Sequence, residues 1–165
     1  RGFNQKGNLM KNKILALGLV LLMTGCASVG MTDMAASHAA KEFKTPSEGK
    51  AGLYVYRSNT IFGAEFKKDI WVDGHCLGES ARGVFFFTEV DGNQTHTIAT
   101  ESEFSPNLLT IHTEAGKNYF VRQYIKMGVF VAGAQLEQVH EQAGKQAVYQ
   151  LNMAQTGNCS QPFKQ

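Results

Sequence analysis

From residue 50 onward, apolar and polar side chains alternate with the period of two that belongs to a pleated strand. Tyr119, Val121, Gln123 and Ile125 fall on one side and Phe120, Arg122 and Tyr124 on the other, which predicts a strand over residues 119–127. Similar runs predict strands over 51–57, 95–100 and 108–113. Ile70-Trp71-Val72 leads into Asp73-Gly74 and then His75-Cys76-Leu77-Gly78, and Asp-Gly between two apolar runs marks a tight hairpin whose central residues take positive φ. Residues 84–90 contain Phe85-Phe86-Phe87 without a polar break, so this strand is expected to be covered on both faces. Turns are expected at Asp91-Gly92-Asn93 and at Ala115 to Asn118.

Beyond the glycines at 128 and 133 the period changes. A last strand is expected over 134–139. A helix is expected over 140–153, because Val139, Ala143, Ala147, Val148, Leu151 and Ala154 recur at steps of three and four, with Gly144 as its weak point. The fold class is therefore mainly β, a sandwich-like or open-barrel antiparallel domain with a C-terminal helix.

The first part of the chain follows a different pattern. Lys11 to Lys13 precede an unbroken apolar run, Ile14 to Met23, and then Met23-Thr24-Gly25-Cys26. A basic start, an apolar segment too short to span a bilayer comfortably and small residues before a cysteine are the parts of a cleavable export signal. The last four residues resemble the lipobox of bacterial lipoproteins, with Met23 where leucine is commonest. The resemblance implies cleavage before Cys26 and its acylation, several acyl chains anchoring far more firmly than one. Ala27 after the cysteine implies sorting to the outer membrane, facing the periplasm. The expected organisation is an upstream extension 1–9, a signal peptide 10–25, a flexible tether 26–48 rich in Ala, Ser and Met, a β-rich domain with its helix 49–159, and a tail 160–165.

Cleavage changes the charge balance. Of 16 Lys and Arg, four (Arg1, Lys6, Lys11, Lys13) lie before Cys26 with no acidic residue among them, leaving 12 against 14 Asp and Glu, a net charge of −2. With no basic cluster left, a nucleic-acid partner is disfavoured. Cys76 and Cys159 remain after Cys26 is acylated, in a compartment where disulfides persist. Two alternatives stay open, a pair of free thiols or a bridge that would close a loop of roughly 80 residues and stabilise by ~4 kcal/mol.

The run Gly49 to Arg57, the Val72-Asp73-Gly74 turn with Gly78, the strand Asn118 to Arg122 and Leu136 to Val139 together resemble a family of bacterial envelope lipoproteins of unknown function, of the DUF2846 type. The likeness runs from Lys50 to about Met153. It implies an export signal, one mainly β domain and no established activity, so no catalytic residues are carried over from it.

Candidate chemistry is sparse. His96 and His112 would approach if their strands pair, and with Glu101 or Glu103 they are weak candidates for a metal site, although neither has metal-motif spacing. His75 beside Cys76 points to the opposite face of its strand. Asp69 and Asp73 flank Ile70-Trp71-Val72 and read as an exposed strand start and a turn, and Arg57 as a stacked or salt-bridged framework residue. Tyr54, Tyr56 and Trp71 are either core or an aromatic platform for glycan. Nucleophile-elbow, dinucleotide and phosphate-loop motifs do not occur, so neither enzymatic activity nor a cofactor is expected. The expected function is a non-catalytic interaction or structural module at the membrane, working through a sheet face or an open strand edge on an envelope protein. The alternative is a binder of a small ligand or of a glycan such as peptidoglycan.

Overall fold

The computed structural model describes residues 28–164, so the export segment and Cys26 lie outside the described residues. Among the described residues, nine strands and two helices follow in the order α1 (Met34–Ala40), β1 (Lys50–Arg57), β2 (Lys68–Val72), β3 (His75–Ser80), β4 (Val84–Asp91), β5 (Gln94–Thr100), β6 (Asn107–Thr113), β7 (Asn118–Lys126), β8 (Gly133–Val139), α2 (Glu141–Tyr149) and β9 (Asn152–Met153). They form a five-stranded sheet in the order β8-β7-β1-β4-β9 and a four-stranded sheet in the order β3-β2-β5-β6. Most pairs are antiparallel, as expected, but β1 lies parallel to β7 and β4 parallel to β9. Among the described residues no helix is long and apolar enough to cross a membrane.

The hairpin residues Asp73 and Gly74 take φ of 50° and 78°, as the Asp-Gly signal requires. Between the sheets Leu53, Val55, Ile70, Phe86, Ile98, Ile111 and Val121 form the main core. A chain of buried polar groups also spans the two layers. Ser80 Oγ donates to Gln123 Oε1, Gln123 Nε2 to Thr100 Oγ1 (2.8 Å), and Thr100 Oγ1 to the Asp69 carbonyl (2.9 Å). Each partner is satisfied, so the group fixes sheet registration without leaving a desolvated orphan.

The outer face of the five-stranded sheet carries a second core. Tyr54, Tyr56, Phe85 and Phe120 pack there with Val148 and Leu151, while Ala40, Phe43 and Ala147 close over them. Phe86 points between the sheets and Phe85 and Phe87 point outward, which accounts for the unbroken aromatic run. Tyr54 stacks on Phe120 at 4.9 Å and donates its hydroxyl hydrogen to the Ala40 carbonyl (2.8 Å). Burial raises its pKa to about 12, with the Glu89 charge adding to the rise, so the donor stays protonated.

Two expectations are corrected here. The segment anticipated as a flexible tether is built into the fold over its described part. Asp33 caps α1 by accepting from Ala36 N–H (2.7 Å), Ser37 Oγ accepts from Met153 N–H (3.1 Å), and Phe43 joins the outer core. The sheet's outer face is so apolar that it needs this cover, and low local hydrophobicity gave no hint of it. The C-terminal helix ends at Tyr149 rather than running to residue 153, because Asn152 and Met153 extend to pair with Val84 and Phe85.

Gly144 stands where α2 crosses β7, and an added Cβ would fall inside contact distance of the Phe120 ring. Gly144→Ala would gain up to ~1 kcal/mol of helix propensity but overpack this contact at a cost of ~1–3 kcal/mol. The expected outcome is a net loss of roughly 1–2 kcal/mol, read as a lower urea midpoint at unchanged slope.

Candidate interaction surface and its supports

Strand directions bring the loops 58–67, 101–106 and 127–132 to one end of the sandwich. Arg57 pairs with Val84 there, Lys126 with Gly133, and Ala134 N–H donates to the Glu101 carbonyl. This end is the most apolar exposed part of the described surface. Phe104 and Val129 are each 79% exposed and Phe130 82%, with Met127 and Val131 beside them and Ile61 and Phe62 on the neighbouring loop. Phe104 and Phe130 meet edge to face at 6.5 Å.

A single carboxylate organises this crest. Glu103 accepts the backbone N–H groups of Val129 (2.7 Å), Phe130 and Val131 (3.3 Å). Loss of water around the carboxyl works to raise its pKa, but the three donors outweigh that and hold it below the usual glutamate range. Gly128 is required, because a Cβ there would collide with the Val131 carbonyl and the Glu103 carboxylate. On the adjacent loop the buried Arg57 guanidinium donates to the carbonyls of Phe66 (2.7 Å) and Gly63. Burial lowers its pKa to about 10 against the opposing charge of Glu65, and it remains a cation at neutral pH. Its role is a framework one, as expected, but it clamps carbonyls and makes no salt bridge.

The other predicted residues are distributed as follows. His96 and His112 do not converge. The register sets His112 opposite Thr95 and His96 opposite Ile111, so the two rings lie on opposite faces of the sheet. Among the described residues no cluster of His, Cys, Asp and Glu is arranged to hold a metal ion. His96, only 6% exposed, instead locks the hairpin. Its Nδ1–H donates to Asp73 Oδ2 (2.6 Å) and its Nε2–H to the Asp91 carbonyl (2.8 Å). The Asp73 carboxylate and the Asp91 carbonyl both act as acceptors, an arrangement that favours the ring with both nitrogens protonated. Burial lowers its pKa, but the hydrogen bonds to Asp73 and Asp91 and the charges of both carboxylates prevail and raise it.

Asp69, expected on an exposed strand start, is fully buried. Its carboxylate accepts from Ser160 N–H (3.0 Å), Ser160 Oγ (2.8 Å) and Gln161 N–H (3.1 Å), fixing the C-terminal tail on the outer face of the four-stranded sheet. The same tail is bound covalently, for Cys76 and Cys159 form a disulfide with Cα atoms 5.9 Å apart. That bond leaves His75, which is exposed, without a thiol partner. The tail also occupies the edge of β3, where Gly157 N–H donates to the Leu77 carbonyl and Glu79 N–H to that of Asn158. At the other sheet, Met31 bridges to Ala154 beyond β9. These two edges are therefore not open for strand addition.

Of the two readings of the aromatic residues, core is the one the fold realises. Tyr54, Tyr56 and Trp71 are all buried, and Trp71 belongs to a different sheet from the two tyrosines. Trp71 Nε1 is buried without a hydrogen-bond partner, a deficit that ordinarily costs ~1–3 kcal/mol. The crest itself escaped the sequence reading. Val129-Phe130-Val131 sits between Gly128 and Gly133 and reads as a turn, and the sole signal was three large apolar residues in a segment with nothing to pair them.

Two measurements follow. Because folding raises the His96 pKa, its contribution is full below the ordinary imidazole value of 6.5 and is lost as pH rises through the folded value. The expected result is a Tm that falls from about pH 6.5 upward and a flatter profile for His96→Asn. Reduction of the disulfide, or Cys159→Ser, removes a crosslink across 83 residues and is expected to cost up to ~4 kcal/mol in unfolding free energy, measured as the Tm with and without dithiothreitol.

The model of a family described as a protein of unknown function (DUF2846) matches residues 47–134. An uncharacterized protein of Haemophilus influenzae strain Rd is 51% identical over 138 residues, covering 84% of this chain and 81% of its own length. No solved structure matches the chain.

Proposed function

The chain belongs to the DUF2846 family of proteins of unknown function, and we propose that this member is a lipid-anchored, non-catalytic interaction module of the bacterial envelope. It is held by acyl chains on Cys26 at the periplasmic face of the outer membrane and docks a protein partner through the crest of Phe104, Val129 and Phe130. The observation that carries this reading is the crest: a monomeric surface rarely keeps several large apolar side chains together in water without a use for them. Glu103 and Gly128 hold the loop in one shape, so little ordering entropy is lost on docking. Aromatic anchors of this kind dominate protein interfaces. The anchor rests on the basic, apolar and cysteine segments of residues 11–26.

The test is in-cell crosslinking with mass spectrometry on the wild type, on Cys26→Ala and on Phe104→Ser/Phe130→Ser. The double variant touches only exposed side chains, so its Tm should shift by no more than ~0.5 kcal/mol equivalent, while its partner crosslinks disappear. Cys26→Ala should lose both labelled palmitate and membrane-dependent crosslinks. Unchanged crosslinks in the double variant would overturn the docking surface, and no label on wild-type Cys26 would overturn the anchor.

A further inference from the structure

A cavity of about 240 Å³ lies between the 101–106 loop and the C-terminal tail, lined by Trp71, Glu101, Ser102, Phe104, Ser105 and Lys164 among others. It is smaller than the ~300–1,000 Å³ typical of drug-sized sites and has room for one compact group. Among the lining residues is Trp71, whose buried Nε1–H has no acceptor. The cavity's one carboxylate has both oxygens in use, Glu101 Oε1 accepting from Gln161 Nε2–H (2.7 Å) and Oε2 from Asp69 N–H (2.7 Å). The lining offers a ligand the indole N–H and an ammonium group as donors, and two serine hydroxyls and the Gln161 amide oxygen that can accept.

We propose that this cavity binds an N-acetylated amino sugar, whose acetamido carbonyl accepts the Trp71 Nε1–H. The ligand must bring an acceptor, because the orphaned group is donor only. A neutral ligand suits a lining that carries one carboxylate and one ammonium group, Glu101 and Lys164. The serine hydroxyls suit sugar hydroxyls, and the Phe104 ring gives the acetyl methyl an apolar wall. Entry is through the tail tip. Ser160 and Gln161 are fixed by Asp69, whereas Pro162, Phe163 and Lys164 make no hydrogen bond to another described residue. The Phe163 ring packs 5.6 Å from the indole, and in this proposal it has to move aside to admit the acceptor. The site is independent of the crest's docking role, although Phe104 borders both.

Trp71 is the only tryptophan in the chain, so intrinsic fluorescence reports on this site directly. The experiment titrates the full chain in detergent micelles with N,N′-diacetylchitobiose, and with cellobiose as a disaccharide lacking acetamido groups. The expected result is a saturable change with the acetylated sugar, at least about tenfold weaker with cellobiose, and tighter binding by Phe163→Ala, which removes the roof. No saturable change up to about 50 mM sugar, an equal response to both sugars, or weaker binding by Phe163→Ala would overturn the proposal.

Discussion

Strand β1 has no wet side, and the rest of the molecule is arranged around that fact. Every residue from Ala51 to Arg57 is buried, with Leu53 and Val55 facing the second sheet and Tyr54 and Tyr56 facing away from it. A strand apolar on both faces has to be the interior of a layered structure. One layer comes from the four-stranded sheet. The other has to be assembled from α1, Phe43 and α2, which reach β1 from opposite ends of the sequence. Each large side chain so covered contributes ~1.5–3 kcal/mol of burial, which is why neither helix is an optional appendage.

At the crest end of the sandwich, three side chains of charged type act chiefly on backbone. Arg57 gathers carbonyls of the 58–67 loop, Glu103 gathers N–H groups of the 127–132 loop, and Asp69 gathers those of the tail. Hydrogen bonds to a charged group are stronger than neutral ones and specify direction. Loops fixed this way can present Phe104, Val129 and Phe130 to solvent without collapsing onto themselves. His96 does comparable work at the opposite end, joining the Asp73 turn to Asp91.

Local chemistry made much of this legible in the sequence. The Asp73-Gly74 hairpin follows from the φ its turn demands, and the two-sided burial of Phe85 to Phe87 follows from the absence of any polar break. Features fixed by distant partners were not legible. Asn152-Met153 leaves the helix because it pairs with Val84-Phe85, and residues 31–43 are ordered by a sheet face far along the chain, so composition alone made them a spacer. Asp69 looked exposed because its partners, Ser160 and Gln161, lie about ninety residues away. The crest was missed for a related reason, since an apolar loop with no partner in its own chain has no periodicity to show. The Cys76–Cys159 pair lay between these cases: the residues were visible, their approach was not.

The pairing of the N-terminal segment with β9 has a consequence for the order of assembly. Thr32 Oγ1 donates to the Met153 carbonyl across 121 residues. Closing so long a loop is slow and entropically costly unless the intervening chain is already compact. Yet β9 exists only where β4 offers an edge to it. Residues 31–32 thus precede every described strand in the chain, yet the edge they clasp is made only by residues that follow them.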